Sequence, residues 1–166
     1  FALGGEGQAR LFATTTTDAV SPLLIHAGWV TQVAFSPDDR WLATRAEHTG
    51  VRLWNATNGA SAGLEFVHPL PAWMAFSPDS RRLATTGQDG WVRLWELPSG
   101  RLLATNELGS PWQCEFSADG QWLLVGRRSG RDAWLLDAVT LQRAAPRLTH
   151  LDYVEHVAFS PDSRHV

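Results

Sequence analysis

The sequence predicts an all-β protein built from four-stranded antiparallel units that repeat about every forty residues. Three observations carry this. Phe35, Phe76, Phe116 and Phe159 are spaced 41, 40 and 43 residues apart, and each opens a polar turn: Ser36-Pro37-Asp38, Ser77-Pro78-Asp79, Ser117-Ala118-Asp119 and Ser160-Pro161-Asp162. Trp54 and Trp95 each lie nineteen residues after the phenylalanine of their repeat, and Val51-Arg52-Leu53-Trp54 matches Val92-Arg93-Leu94-Trp95. Short apolar runs between the turns have strand length and strand composition. A period near forty with about four strands per unit is the signature of a β-propeller blade.

Trp73 to Trp95 shows the logic most fully. Met74-Ala75-Phe76 is an apolar run ending in Ser77-Pro78-Asp79-Ser80, where proline presets φ and the Ser and Asp side chains cap the turn. Leu83-Ala84-Thr85 is the next run. Gln88-Asp89-Gly90 is a tight hairpin turn, because Asp-Gly accepts the positive φ such turns need. Trp91 to Trp95 then alternates along a third strand.

In chain order, residues 1–25 align with the second half of a blade, with Phe12 at the tryptophan position and a strand at Leu23-Leu24-Ile25. Residues 26–67 form a blade with strands near 31–36, 41–45, 50–55 and 62–66. Residues 68–108 form another, with strands near 72–77, 82–86, 91–96 and 101–105. Residues 109–149 form a degenerate blade: Gly109 stands at the histidine position and Leu135 at the tryptophan register, beside Trp134. Its strands are expected at Cys114-Glu115-Phe116, Trp122 to Val125, Ala133 to Leu136 and a weaker stretch near 143–148. Residues 150–166 begin a further blade. Val166 aligns with Leu83 and Phe1 with Ala84, so the repeats are divided within a second strand. The expectation is part of a larger propeller, completed by blades from the parent chain or a second copy. Two copies would give an eight-bladed ring, within the range such folds use.

The chain resembles the WD-repeat β-propellers over nearly all its length. The best repeat is His68 to Asn106, where Leu83-Ala84-Thr85-Thr86-Gly87-Gln88-Asp89-Gly90-Trp91-Val92-Arg93-Leu94-Trp95-Glu96 follows the family pattern. It departs in two ways. No Trp-Asp dipeptide occurs, since Asn55 follows Trp54 and Glu96 follows Trp95. No Gly-His dipeptide occurs, and Ile25-His26, Val67-His68 and Thr149-His150 stand in its place.

The resemblance implies a structural hydrogen-bond network inside a blade: tryptophan to a hydroxyl, the hydroxyl to histidine, histidine to the aspartate of the tight turn. Here that set is His68, Thr85, Asp89 and Trp95. A partial set is His26, Thr44 and Trp54, with His48 where the aspartate would be. The degenerate blade has Gly109, Val125, Ser129 and Leu135 at these positions, leaving Trp122 and Trp134 to hold it by packing. The same residue types spell a hydroxyl–imidazole–carboxylate set, but a catalytic triad is recognised by geometry and roles, not by types. No catalytic residue is assigned.

Composition narrows the function. The net charge is −3, so bulk charge gives no reason to expect nucleic acid. All fourteen basic residues are arginine. Cys114 is the only cysteine, at a strand position, so no intrachain disulfide forms; this fits a reducing, cytoplasmic setting. No long apolar run marks a membrane helix. Asn55-Ala56-Thr57 spells a glycosylation sequon, which chance explains in the absence of a secretory signal. His26, His68 and His150 fall on different blades, and no histidine or cysteine pair has ligand spacing, so no metal or cofactor is expected.

Aromatics precede the first strand of each repeat: Trp29, Trp73, Trp112 and Tyr153. The family fold implies that they gather near one end of the propeller. Arg45, Arg127, Arg128 and Arg131 lie on or beside second-to-third-strand turns, which open on the same side. Together they are the candidate partner-binding residues, since exposed Trp, Tyr and Arg serve as interface anchors. The sequence therefore reads as a non-catalytic scaffold binding a protein or peptide. The alternative is an accessory or sensor propeller of a larger multidomain signalling protein or enzyme.

Overall fold

The computed structural model describes residues 1–68, 71–127 and 130–166, with Pro71 and Ala72 described by their backbone alone. Arg128 and Ser129, both singled out in the sequence, therefore lie outside the described residues. The described strands form four antiparallel sheets, distributed over two compact units, Phe1–Pro71 and Ala72–Val166.

The first unit holds a three-stranded sheet, β1 (Ala2–Gly5), β2 (Gln8–Leu11) and β3 (Leu24–Ile25), and a four-stranded one, β4 (Val30–Phe35), β5 (Trp41–Ala46), β6 (Gly50–Asn55) and β7 (Ser61–Phe66). Each sheet is a meander in which sequence neighbours pair. Its core joins Leu11 and Leu24 to Val30, Leu42, Ala46 and Trp54. Gly4 permits close approach of β1 to β4: a Cβ there would meet the Val30 side chain at 2.6 Å.

The second unit holds β8 (Pro71–Phe76), β9 (Arg82–Gly87), β10 (Trp91–Glu96) and β11 (Leu102–Glu107), then β12 (Pro111–Phe116), β13 (Trp122–Arg127), β14 (Asp132–Asp137) and β15 (Leu148–Thr149). Val92, Leu94 and Ala84 of the first sheet pack with Cys114, Leu123, Val125 and Leu136 of the second. The second strands, β9 and β13, are nearly continuously buried, whereas β11 leaves Leu102 and Leu103 at the solvent edge. An inner strand packed on both faces has no need of polar alternation; an outer edge strand does not share that constraint.

One turn recurs four times. The hydroxyls of Ser36, Ser77, Ser117 and Ser160 donate to Asp38, Asp79, Asp119 and Asp162 at 2.5–2.6 Å. Each serine oxygen accepts the backbone N–H five residues on, at 2.9 Å, from Trp41, Arg82, Trp122 and His165. Each aspartate also accepts an N–H two residues on. The fourth residue has positive φ at Asp39, Ser80, Gly120 and Ser163. Ser36, Ser77 and Ser117 are buried with these bonds made, which is what makes a buried hydroxyl tolerable. These bonds hold Asp38 well below the usual carboxylate range, at about 2, the Ser36 hydroxyl being the main cause.

A second turn recurs between the third and fourth strands. Asn55 Oδ1 accepts the N–H groups of Thr57 and Asn58, and Asp137 Oδ1 those of Val139 and Thr140. Glu96 accepts from the Ser99 hydroxyl at 2.6 Å and pairs with Arg101, which hold its carboxyl at about 2. The chain then closes through an N–H to the carbonyl four residues back, from Gly59, Gly100 and Leu141.

The ladders correct two register assignments. Leu123 pairs with Leu136, as Leu42 pairs with Trp54 and Leu83 with Trp95. The tryptophan position is therefore Leu136, not Leu135, and Leu136-Asp137 stands where Trp54-Asn55 and Trp95-Glu96 stand. The cause is a β13–β14 turn one residue longer than its equivalents. Trp134, paired with Val125, takes the place of Arg52 and Arg93. At the histidine position, His26 follows the Gln8–Ile25 pair and Leu108 follows the equivalent Trp91–Glu107 pair; the Leu108 and Gly109 N–H groups donate to Gly90 at 2.9 and 3.2 Å. Buried Leu108, not Gly109, therefore holds that position.

Residues 150–166 carry the serine–aspartate turn but no strand. Val157 is held there by a side chain: Gln113 of β12 donates to its carbonyl at 3.2 Å and accepts its N–H at 3.1 Å.

Candidate functional site

Two polar networks lie inside the sheets. In the first unit Trp54 Nε1 donates to Thr44 Oγ1 at 2.7 Å, and that hydroxyl lies 2.9 Å from His26 Nε2. The His26 and Trp54 rings meet edge to face at 5.6 Å. His26 Nδ1 is buried without a hydrogen-bond partner among the described residues. His48, at φ 63°, occupies the hairpin position that holds Asp89 in the next repeat. Burial, reinforced by the Arg52 guanidinium and opposed by Glu65, pushes the His26 imidazole down to about 4. The ring is therefore neutral at ordinary pH.

In the second unit Trp95 Nε1 donates to Thr85 Oγ1 at 2.8 Å. Asp89 accepts the Trp91 N–H at 3.3 Å and pairs with Arg93 at 2.8 Å. His68 is buried. Thr44 and Thr85 have no solvent exposure, so neither hydroxyl is open to a substrate.

The β12–β15 sheet replaces this polar arrangement with an apolar one. Leu108, Val125 and Leu136 occupy the histidine, threonine and tryptophan positions and share one core cluster. Exchanging both ends of a buried hydrogen bond for apolar groups removes the need to satisfy either. Displaced by one residue, Trp134 packs against the same core while the guanidinium of Arg143 stacks 3.9 Å over its ring and Arg147 lies at 5.9 Å. Trp122 is half-buried.

The candidate recognition residues fall into distinct environments. In the first unit Trp29 is 54% exposed, and its carbonyl accepts the Glu47 N–H beside the β5–β6 turn. Arg45, on β5, is half-buried, and burial lowers the proton affinity of its guanidinium. In the second unit Trp73 packs against the core. Trp112 is half-buried, and its carbonyl accepts the Thr86 hydroxyl. Tyr153 is 62% exposed. Trp112, Tyr153, Glu155 and His156 line a cavity of about 440 Å³. The pairing of Pro111 with Arg127, and of Asp132 with Thr149, brings Trp112 and the long β13–β14 turn to one end of that sheet.

Arg127 is tied there to Asp132 by contacts of 3.0 and 3.2 Å, and Arg147 reaches the same carboxylate at 3.5 Å. Asp132 is buried, while Arg131 is exposed. Sequence reasoning missed Asp132 and Arg147. The available signal was an acid closing an arginine-rich turn, Arg127-Arg128-Ser129-Gly130-Arg131-Asp132. It also missed Asn55, Glu96 and Asp137, whose signal was a polar residue recurring directly after the third strand's last apolar position.

Cys114 is buried, and desolvation pushes its thiol well above the ordinary range, so the nucleophilic thiolate is suppressed. Among the described residues no group of three or more His, Cys, Asp or Glu is placed to hold a metal ion, and no helix is long and apolar enough to cross a membrane.

Residues 20–55 and 72–96 match the family model described as WD domain, G-beta repeat, named WD40. No curated protein matches the chain. Among solved structures the chain is similar to the crystal structure of the computationally designed Ika8 protein, at 18% identity and a TM-score of 0.82. The match covers 94% of this chain and 48% of that one, so this chain spans about half its length. At this identity the likeness speaks to the fold alone.

Proposed function

Starting from a chain that carries WD40 repeats at residues 20–55 and 72–96, we propose a non-catalytic scaffold that binds a protein or peptide. The observation that carries this reading is the exposure of Trp29 and Tyr153, 54% and 62%, just ahead of the first strand positions of their repeats. Large aromatics left in water at a loop end gain more from a partner than from solvent, and they anchor interfaces. Trp112, Arg127 and Arg131 extend the surface in the second unit. The binding partner is met in the cytoplasm, where Cys114 stays a thiol.

The sheets serve as blades of a propeller larger than this chain. Two features support that. The β1–β3 sheet has three strands where the others have four, and residues 154–159 pair in no ladder. Both are open to further propeller segments, supplied by the parent chain or a second copy, because an unpaired edge is a template for another strand.

An array of immobilised peptides probed with the intact chain tests the binding role. The expected result is retention of a subset of peptides that Trp29→Ala or Tyr153→Ala weakens by about tenfold or more, the scale of an aromatic anchor. No retained peptide, or retention untouched by either change, overturns it.

A further inference from the structure

We infer that the pocket beside the β13–β14 turn is a binding site for the acidic side chains of a peptide, a specificity that rests on the scaffold reading above. Arg127, Arg131, Asp132, Arg147, Thr149 and His150 line a cavity of about 340 Å³. Among the described residues three arginines and one carboxylate line it, and two of the arginines reach that carboxylate, in a chain whose net charge is −3. Local charge is thus the reverse of the whole.

The bland account is a set of solvated surface arginines. Geometry argues against it for Arg127, and Arg147, though 55% exposed at its side chain, is tied to the same carboxylate. Asp132 is 4% exposed at its side chain and fixes Arg127, itself 23% exposed, at 3.0 Å and Arg147 at 3.5 Å. Arg147 is held again by its approach to the Trp134 ring. Guanidiniums held this way have already lost rotamer freedom, so a ligand meets a preorganised fork. Arg127 Nε is buried without a hydrogen-bond partner among the described residues. The Arg131 side chain makes no hydrogen bond or ion pair among them either, and it is exposed. One carboxylate leaves two cationic charges uncompensated.

Valency favours a peptide as the ligand. An acidic peptide offers several planar carboxylates, each able to match one guanidinium fork, whereas free phosphate engages the cluster at a single point. Acidic residues spaced along a peptide then engage Arg131 and Arg147 separately.

Fluorescence anisotropy of the intact chain tests this, with a labelled peptide of alternating glutamate and glycine. A lysine-for-glutamate peptide and inorganic phosphate serve as comparisons. The acidic peptide is expected to bind. Its affinity should fall about tenfold in each of Arg131→Gln and Arg147→Gln, the scale of one charge-assisted contact. Arg40→Gln, on an exposed turn of the first unit, should leave it unchanged. Inorganic phosphate should displace the peptide only at concentrations far above those of free acidic peptide. Arg131 is exposed, so its replacement keeps the fold. Failure of the acidic peptide to bind, equal binding of the lysine peptide, or phosphate competing as well as peptide overturns the assignment. Unchanged affinity in both arginine variants also overturns the pocket, while leaving the peptide scaffold standing.

Discussion

His26 and Asp89 show how one side chain sets the strength of a repeat. His26 bonds through Nε2 to Thr44, but its Nδ1 is buried without a described partner, because His48 stands where the next repeat has Asp89. With its folded value at about 4, below the ordinary 6.5, the unfolded chain binds the proton more readily. The sign follows: this contribution is complete above pH 6.5 and is lost as pH falls towards 4. Acid unfolding of the intact chain should therefore show a drop in stability across that window, on the order of 1–3 kcal/mol. His26→Gln should flatten it; an unchanged pH slope in a denaturant series would refute the account. Introducing the acid, His48→Asp, should raise the His26 value, read by its NMR titration, because a neighbouring carboxylate favours the charged imidazole. Aspartate accepts the positive φ at this position. In the second unit Asp89 holds Arg93 and the Trp91 N–H, so Asp89→Ala should cost about 1–3 kcal/mol, more than His48→Ala. Equal costs in urea titrations would contradict that ranking.

At the scale of the element, the serine–aspartate turn is the unit that repeats. It forms at Ser117-Ala118-Asp119 with the same bonds as at the three Ser-Pro-Asp turns. Proline is thus an accessory and serine the organiser. Ser77→Ala should cost about 1–2 kcal/mol, leaving the Arg82 N–H and Asp79 without their partner, whereas Pro78→Ala should cost less than about 1 kcal/mol through the unfolded chain. The reverse order in thermal melts would show that proline sets the turn. These elements were legible because their markers are local: Phe, Ser and Asp at fixed spacing fix a turn and so a strand on either side. What was not legible was register across a turn of altered length. Counting from Phe116 leads to Leu135; the extra residue between Arg127 and Asp132 moves the position to Leu136 and turns Trp134 onto Arg143. Asp132 was invisible as an organiser for the same reason, since its role depends on Arg147, fifteen residues away, arriving on β15's approach. Leu108 was missed for Gly109 because strand-end positions depend on a backbone bond to Gly90 rather than on side-chain pattern.

On the scale of the molecule, each unit owns a core, and the second strands β5, β9 and β13 are buried deeper than the edge strands β7 and β11. Polar networks in two sheets and an apolar substitute in a third do the same structural task, which leaves the loop ends free to vary. The account places binding there. Hydrogen–deuterium exchange of the intact chain, alone and with a peptide retained on the array, tests that placement most directly. Slowed exchange should appear in the second unit, in the backbone of residues 111–113, 130–131 and 150–156, with β7 and β11 unchanged. Protection confined to β7 or β11, or none at saturating peptide, would contradict the central claim.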